Sequence, residues 1–349
     1  MKKVIFSIIA MLCCLMAQQL QAQELTRAIK IAYKAREISK LLTSAQFGDV
    51  FIEPLIDDSI RINVNITAYN KNEKQAQQML DQVKIVVEKT QGALNVTTAN
   101  LPKSTGGKRG GLSVDYNIKI PMNLALDIKN RFGDVKLADY QGQGNFDVNY
   151  GNLNCDDITS ASGTTVNVKF GNCNIQSVTN LNGRFEYGDI KIEKCGTLNI
   201  VSKFSDVELG DIGSLTHNSG YDDVEVNSIK SATIDSRFSD YSIGKAQGDL
   251  RLDGNYGSVV IDGISSGCKN VNLNCKFGSA TINMSGFSYD IDASTKFGGL
   301  RLSDIDASFS SKIKDENNEK SIRTTIGNNT DNRKLYIRSG YTDVRIKNK

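Results

Sequence analysis

The chain has 349 residues, with 42 Lys and Arg against 39 Asp and Glu, a formal net charge of +3, one His and no Trp. This near balance of charge gives no basic face of the kind that nucleic-acid binding requires, so we expect no nucleic-acid partner. A single histidine also leaves few parts for histidine-based catalysis.

The N-terminus, residues 1–22, has the pattern of a secretory signal peptide. Two lysines precede the apolar run Val4–Met16, which is too short to span a bilayer, and Ala22 offers a cleavage site. Cys13 and Cys14 raise lipidation as an alternative, but neither follows the small residue that lipidation requires. The sequence therefore predicts an exported chain with no transmembrane segment in its mature part.

Residues 23–111 differ from the rest of the chain and are interpreted as an N-terminal capping segment with one helix. Within them "AQFGDVFI", Ala45–Ile52, is an early copy of a phrase that recurs later. The stretch Leu25–Leu42 is ambiguous, because its apolar residues alternate as in a strand while its Ala, Lys and Arg favour a helix. The other predicted elements are, in chain order, a strand (Ile60–Tyr69), a helix (Asn72–Val83), a strand near Leu94–Thr98 and a flexible linker or hairpin loop (Lys103–Gly111).

Residues 112–349 carry an internal repeat. An aromatic residue starts each copy of a four-residue phrase such as "FGDV", Phe132–Val135, and successive copies follow at a nearly constant spacing, with one double step at the end. The spacing is about twenty residues, and a fixed period of this length is typical of solenoids. The aromatic residues are Phe132, Tyr150, Phe170, Tyr187, Phe204, Tyr221, Phe238, Tyr256, Phe277, Phe297 and Tyr341.

Within each repeat unit, here called a rung, apolar residues alternate with polar ones. Val166, Val168 and Phe170 share one parity, and Cys173 and Ile175 resume it after a Gly-Asn break. Period-two alternation with β-branched residues predicts two short strands per rung, joined by a turn at the phrase. We therefore predict an all-β fold, a single-stranded parallel β-helix of about 17–20-residue rungs with a small strand-helix-strand cap, in which the aromatic residue packs inward.

The C-terminal part varies this pattern. The charged stretch "KDENNEK", Lys314–Lys320, is predicted to project as a loop. The stretch "LYIRSGYTDVRIKNK" then supplies a last rung.

Five cysteines follow the signal peptide, at positions 155, 173, 195, 268 and 275. Their odd number and irregular spacing indicate neither a disulfide framework nor a zinc site. We expect free thiols that act as small core residues. A bridge between Cys155 and Cys173 is the alternative, because these two residues fall on adjacent rungs.

The aspartates of the phrase are the one candidate constellation for a metal. Asp189, Asp206, Asp223 and Asp240 recur at a constant spacing of one repeat and should form a column along one edge, which could bind calcium. Cations flank alternate rungs of this column, since Lys203 precedes Phe204 and Arg237 precedes Phe238, and they balance its charge. The simpler interpretation, which we favour, is that these aspartates accept hydrogen bonds from their own turn backbone, so that no metal site is expected.

Catalysis has little support in the sequence. His217 shares the parity of Leu215 and Tyr221 and is expected to point into the core. Clustered carboxylates of the kind that polysaccharide lyases and hydrolases use could be assembled between rungs, but no set stands out. We expect no catalytic residues and no cofactor.

The stretch "YNIKIPMNLALDIKNRFGDVKL", Tyr116–Leu137, together with the recurring phrase, resembles the family of exported bacterial β-strand-repeat proteins known as the putative adhesin family. The resemblance covers Ala45–Lys349. It implies a single-stranded β-helix and a location in the periplasm or at the cell surface of a Gram-negative bacterium, and it brings no catalytic residues.

These observations predict a non-enzymatic, exported β-solenoid that acts as an adhesin, binding protein or scaffold of the cell envelope. Its partner would be a protein or a glycan. The alternative function is that of a carbohydrate-active enzyme, a polysaccharide lyase or hydrolase built on a β-helix.

Overall fold

The computed structural model describes residues 23–101, 110–303 and 313–348. Strand accounts for 70% and helix for 4%, so the chain is all-β, as predicted. The predicted signal peptide lies outside the described residues, and so does most of the predicted linker Lys103–Gly111.

The described residues of the N-terminal part form seven strands, one α-helix and one turn of 3₁₀ helix. They are β1 (Gln23–Lys34), the 3₁₀ turn (Ala35–Glu37), β2 (Lys40–Gln46), β3 (Val50–Pro54), β4 (Ser59–Asn70), α1 (Glu73–Gln82), β5 (Lys84–Thr90), β6 (Ala93–Ala99) and β7 (Gly110–Ile120). The ambiguous stretch Leu25–Leu42 is therefore largely strand, and β5 is a strand that the sequence interpretation missed.

Helix α1 forms where its local sequence favours it. The Asn72 side chain accepts a hydrogen bond of 3.2 Å from the Gln75 backbone N–H, which caps the helix N-terminus. Ala76 and Leu80, four residues apart, lie on the one buried face and pack toward β4 and β1. The predicted helix Asn72–Val83 is confirmed to within one residue at each end.

The early copy of the phrase stacks directly on the later ones. Strand β2 pairs in parallel with β8, and β3 pairs in parallel with β9, so the rung of Phe47 lies beside that of Phe132. On the other side, β6 pairs with β2 and β7 pairs with β3, and the antiparallel strands β4 and β1 continue from β7. Strand β7 runs across the predicted division between residues 111 and 112, and that division stays a prediction.

The remaining strands are β8 (Ala125–Arg131), β9 (Val135–Leu137), β10 (Gly144–Asn149), β11 (Leu153–Ile158), β12 (Thr164–Lys169), β13 (Cys173–Glu186), β14 (Ile190–Lys203), β15 (Asp206–Gly220), β16 (Asp223–Arg237), β17 (Asp240–Ala246), β18 (Leu250–Asn255), β19 (Ser258–Ile261), β20 (Asn270–Asn283), β21 (Tyr289–Lys296), β22 (Leu300–Ser303), β23 (Lys314–Glu316), β24 (Glu319–Ile326) and β25 (Lys334–Lys347).

Equivalent positions of successive rungs pair in parallel and in register. Cys173 pairs with Ile190, Ile190 with Val207 and Val207 with Val224, each partner being one repeat further along the chain. The long strands serve two neighbours at once, since the first half of β13 pairs with β11 and its second half with β12. These are the pairings that a parallel β-helix requires; the complete helical path stays a prediction.

The C-terminal rung does not lie where its position in the sequence suggests. Strand β25 pairs in parallel with β20 on one side and with β21 and β22 on the other. The rung of Tyr341 is therefore inserted between those of Phe277 and Phe297. The interpretation of this stretch as the last rung is wrong in space, although it is the last in sequence.

The charged stretch Lys314–Lys320 is not a simple loop. Strands β23 and β24 form an antiparallel hairpin whose turn is Asn317-Asn318, and β24 pairs antiparallel with β21. The hairpin covers the edge of β21 that faces away from β25. A free edge of that kind would otherwise expose unpaired backbone groups.

Buried apolar side chains from every part of the stack form one continuous core, from Ala35 to Ile346. The five cysteines at positions 155–275 belong to it as free, buried thiols. The predicted role of these cysteines is confirmed, and the alternative bridge between Cys155 and Cys173 is wrong. Burial raises the pKa of the Cys173 thiol to about 12, so this thiol stays protonated and unreactive.

The close approach of corner glycines gives a stability prediction. A Cβ on Gly171 would lie 1.9 Å from the carbonyl oxygen of Gly151 on the preceding rung, whereas a Cβ on Gly220 would lie 3.7 Å from Lys203 Cγ, an ordinary contact. We expect Gly171→Ala to lower the free energy of unfolding by at least about 2 kcal/mol, because the backbone must shift. Gly220→Ala is the control and should change it by less than about 1 kcal/mol. Urea unfolding measures both, and equal effects would contradict the stacking of the corners.

Candidate functional site

Within the described residues, twelve aromatic rings stack along one edge of the protein and form what we call the aromatic ladder. Neighbouring ring centroids lie 4.7–5.1 Å apart, and neighbouring ring planes are inclined by 3–19°. In spatial order the rings are Phe47, Phe132, Tyr150, Phe170, Tyr187, Phe204, Tyr221, Phe238, Tyr256, Phe277, Tyr341 and Phe297.

The prediction that these residues pack inward is wrong. Phe132 is 38% exposed and Tyr221 is 55% exposed, and the other ladder residues from Tyr150 onward lie between these values or equal them. All twelve have a positive φ, between 54° and 64°. This left-handed conformation reverses the side chain at the corner, so the alternation that holds along the strands does not extend to the ring.

Aromatic residues rarely adopt this conformation, which costs a non-glycine residue about 1–2 kcal/mol. An offset-stacked aromatic pair contributes about 0.5–1.5 kcal/mol beyond the area that it buries. An interior ring such as Tyr187 makes two such contacts, with Phe170 and Phe204. Stacking therefore offsets the backbone strain, but only when neighbouring rungs are present.

Phenylalanine and tyrosine alternate strictly along the ladder from Phe132 to Phe297, in spatial order. The alternation holds only because Tyr341 stacks between Phe277 and Phe297, with centroid distances of 4.9 and 5.0 Å. In sequence order the two phenylalanines would be neighbours. Every second rung of the ladder therefore carries a hydroxyl group.

A cation precedes each ladder phenylalanine from Phe132 onward, whereas Asn, Glu or Gly precedes each ladder tyrosine. We call these cations the cation edge: Arg131, Lys169, Lys203, Arg237, Lys276 and Lys296. The Arg131 guanidinium lies 5.0 Å from the Phe132 centroid and the Lys169 ammonium 3.1 Å from a Glu186 oxygen. Within the described residues Lys203, Arg237 and Lys276 form no ion pair and lie exposed.

The aspartates of the phrase line the other side of the ladder. Asp189, Asp206, Asp223 and Asp240 are all exposed, and the last three are paired in register on adjacent strands. The predicted column is thus present. Among the described residues no group of three or more His, Cys, Asp or Glu is placed to hold a metal ion.

The hydrogen bonds of this column run between rungs. From the rung of Phe47 to that of Phe170, the side chain two residues after the ring accepts the equivalent backbone N–H of the next rung. Asn152 N–H donates to Asp134 Oδ1 over 2.8 Å, and Asp189 N–H donates to Asn172 Oδ1 over 2.9 Å. The interpretation that each aspartate accepts a hydrogen bond from its own turn is wrong for Asp134 and Asp240, whose Oδ1 atoms accept from Asn152 and Ser258 of the following rung.

Three central rungs replace the corner glycine by Ser205, Asp222 and Ser239. The side chains of Asp222 and Ser239 turn inward, and each accepts the backbone N–H of the preceding corner: Ser205 N–H donates to Asp222 Oδ1 and Asp222 N–H donates to Ser239 Oγ, both over 3.0 Å. The same corner is thus closed in two ways, and the second way places a carboxylate in the core.

Asp222 belongs to a buried polar chain with Ser202, His217 and Tyr241. The Ser202 hydroxyl donates to Asp222 Oδ2 over 2.7 Å, His217 Nε2 lies 2.6 Å from Ser202 Oγ, and Tyr241 OH lies 2.9 Å from His217 Nδ1. With Asp222 ionised, one assignment satisfies every group: Tyr241 donates to Nδ1, and a neutral His217 donates from Nε2 to Ser202. All four side chains are at most 5% exposed.

Burial sets the protonation of this chain. It lowers the pKa of His217 to about 3 and raises the pKa of Tyr241, so both stay neutral. Burial also raises the pKa of Asp222, while hydrogen bonds from Ser202, Gly220 and Ser205 oppose that shift. The predicted inward orientation of His217 is confirmed.

The buried chain contains Ser, His and Asp, but not in the order that nucleophilic catalysis uses. The carboxylate binds the serine instead of the histidine, and the histidine donates to the serine in place of accepting its proton. Sequence reasoning missed Ser202, Asp222 and Tyr241. The available signal was the loss of the corner glycine in three successive rungs.

No protein-family model matches the sequence, and no curated protein matches it. Three solved structures are similar to the chain at low identity. A "putative cell adhesion protein" from Clostridium sporogenes is 9% identical, with a TM-score of 0.19, covering 93% of this chain and all of the other. A "putative lipid binding protein" from Parabacteroides distasonis is 15% identical, with a TM-score of 0.34, covering 70% and 90%. A "putative adhesin" from Bacteroides fragilis is 13% identical, with a TM-score of 0.26, covering 93% and 97%.

In the part of the chain that the structure describes, neither helix is long and apolar enough to cross a membrane.

At a ladder position we expect an alanine variant to be less stable than a glycine variant. Tyr187→Ala removes two ring contacts and should lower the free energy of unfolding by about 1–3 kcal/mol. Tyr187→Gly removes the same contacts but also the left-handed strain, so it should be more stable than the alanine variant by about 1 kcal/mol. Tyr187→Phe keeps the ring and serves as the control. Thermal unfolding of the three variants measures this, and an alanine variant as stable as the control would contradict the role of stacking.

His217 should make the free energy of unfolding depend on pH. Its pKa of about 3 in the folded state lies below the usual 6.5, so the unfolded chain binds a proton first as the pH falls. The free energy of unfolding should therefore be constant above pH 6.5 and decrease below it, by about 2 kcal/mol at pH 5. The chain has no other histidine to titrate in this window. Urea unfolding between pH 7 and pH 5 measures the slope, which His217→Gln should remove; an unchanged slope in that variant would exclude His217 as its source.

Proposed function

We propose that the chain is an exported, non-enzymatic β-solenoid of the bacterial cell envelope that binds an elongated partner along its aromatic ladder. The observation that carries the proposal is the continuous exposure of the ladder. The solenoid path, the export and the envelope location come from the sequence pattern and remain part of the proposal.

The exposed apolar surface of the ladder is larger than a protein without a partner usually leaves open. Eleven ladder residues are 38–55% exposed. With about 200 Å² of surface for each side chain, they present on the order of 1,000 Å², against a few hundred Å² for an ordinary surface patch. A patch of this size that is rimmed by charged residues is typical of an interaction surface.

The way the rings stack limits what can bind. Both faces of every interior ring are covered by neighbouring rings about 5 Å away, so only ring edges and tyrosine hydroxyls face solvent. A sugar that stacks on an aromatic face would find such faces only at the two ends of the ladder. A long surface that packs against ring edges fits the ladder better.

The observations favour binding over catalysis. The buried Ser-His-Asp chain is closed to substrate, and its proton order does not activate the serine. The phrase carboxylates are spread one to a rung along an edge.

Binding along the ladder is tested by a substitution that adds a charged side chain beside the rings without removing one. Gly220 and Thr216 both face outward on β15, but only Gly220 lies next to a ladder ring. We expect Gly220→Glu to weaken binding of the purified chain to outer-membrane vesicles from cells that export it by about tenfold, the equivalent of about 1.4 kcal/mol. Thr216→Glu, the matched control, should leave binding unchanged. Surface plasmon resonance measures both, and equal binding by the two variants would contradict the proposal.

A second assay addresses catalysis. The purified chain should release no reducing ends from a panel of linear acidic and neutral polysaccharides. Turnover that is lost on replacing one phrase aspartate, such as Asp206→Asn, would show that the chain is an enzyme.

A further inference from the structure

The aromatic ladder is complementary to itself, and we propose that its partner is a second copy of this chain, paired in parallel about a two-fold axis that runs along the ladder. This inference rests on the proposed function, which it deepens by naming the partner. It follows from the area, the charge distribution and the repeat of the ladder.

The area of the ladder is sufficient for a stable pair. A standard protein–protein interface buries about 800 Å² on each partner, and the exposed ladder residues present on the order of 1,000 Å². The surface is narrow and long, because it consists of one ring per rung. Only a partner with an equally long apolar edge can cover it, and a second ladder is such an edge.

The two sides of the ladder carry opposite charges. The cation edge precedes the rings, and the aspartates of the phrase, which we call the acid edge, follow them. Three rungs carry both a cation and an aspartate: Arg131 with Asp134, Lys203 with Asp206, and Arg237 with Asp240. Lys203 and Asp206 form no ion pair within the described residues, so both are available to a partner.

Symmetry then selects the parallel arrangement. A half-turn about an axis along the ladder keeps the rungs of the two copies in the same direction and in register. It also exchanges left and right, so the cation edge of one copy faces the acid edge of the other. An antiparallel pair would bring cation against cation and acid against acid, which is unfavourable.

The alternation of rings supplies a polar contact on every tyrosine rung of such a pair. Tyrosine rungs face tyrosine rungs, and a hydroxyl group can both donate to and accept from its symmetry mate. Phenylalanine rungs lack the hydroxyl, and these are the rungs that carry the cations. From Tyr150 to Phe277, adjacent ring planes differ by at most 10°, so neighbouring rungs of two ladders can meet in the same way.

Cross-linking tests the register. Tyr150, Tyr221 and Tyr341 are each replaced by cysteine, one at a time, in a chain with Cys13→Ser and Cys14→Ser; the five other cysteines are buried. In the parallel pair each position meets its own copy, so all three variants should form a disulfide-linked dimer under mild oxidation. In an antiparallel pair at most one of them would. Dimer formation by none, or by one alone, overturns the proposed arrangement.

A charge exchange tests the pairing of edges without removing a ring. Lys203→Asp places an acid opposite Asp206 of the second copy, and Asp206→Lys places a cation opposite its Lys203. Each variant should weaken the dimer about fivefold, because an exposed ion pair contributes little alone but occurs twice in a symmetric interface. The double variant restores opposite charges and should return the dissociation constant to within about twofold of the original. Lys245→Asp, exposed on β17 away from the ladder, is the control.

Sedimentation equilibrium of the purified chain measures these constants. A chain that stays monomeric at every accessible concentration overturns the inference, as does a double variant weaker than either single one. If the purified chain is monomeric and Gly220→Glu abolishes its binding to vesicles, the inference is overturned and the proposed function is retained. A dimer with the expected charge dependence, combined with vesicle binding that ignores Gly220→Glu, would support the inference and contradict only the location of the partner in the vesicles.

Discussion

The structure depends on one local constraint, the left-handed corner at which each rung changes direction. An aromatic residue occupies this corner in twelve rungs, with φ between 54° and 64°. Such a residue is strained when it is alone, at a cost of about 1–2 kcal/mol. It is stabilised by the equivalent ring on either side, at about 0.5–1.5 kcal/mol for each contact. The corner is therefore acceptable only in a stack, which explains why the phrase occurs many times.

The residue after the ring decides what the corner does to the core. With glycine there, the backbones approach so closely that a Cβ on Gly151 would lie 1.9 Å from the oxygen of Gly133. With Ser or Asp there, the side chain enters the core and binds the backbone of the preceding corner. Asp222 enters in this way, and its charge requires the donors that Ser202 and Gly220 supply. His217 then completes a chain in which every proton has an acceptor. A change at the corner thus accounts for the polar group in the core.

The sequence predicts the larger features because they repeat. The regular spacing of the phrase and the alternation along strands lead to the stacked β-rungs, and Asn72 marks the start of α1. The prediction that Phe132 packs inward is wrong, because the inward–outward alternation of side chains along the strand does not continue through a corner with positive φ. The insertion of β25 could not be read from the period, since a strand can pair with non-adjacent neighbours. The alternation of Phe and Tyr does contain that information, because it is unbroken only in the spatial order.

The exposure of the ladder rings indicates that their repetition does not serve core packing alone. A residue that repeats for packing alone would be expected in the core, where Val207 and Val224 lie. The ladder rings repeat as regularly but stay about half exposed, and their neighbours alternate in charge with a period of two rungs. Stacking requires a ring in each rung, but from Phe132 onward it requires neither the hydroxyl on every second ring nor the cation beside every ladder phenylalanine. Packing does not require this two-rung alternation. Contact with a surface that has the same two-rung repeat is the simplest explanation, and a second copy of the chain has such a surface.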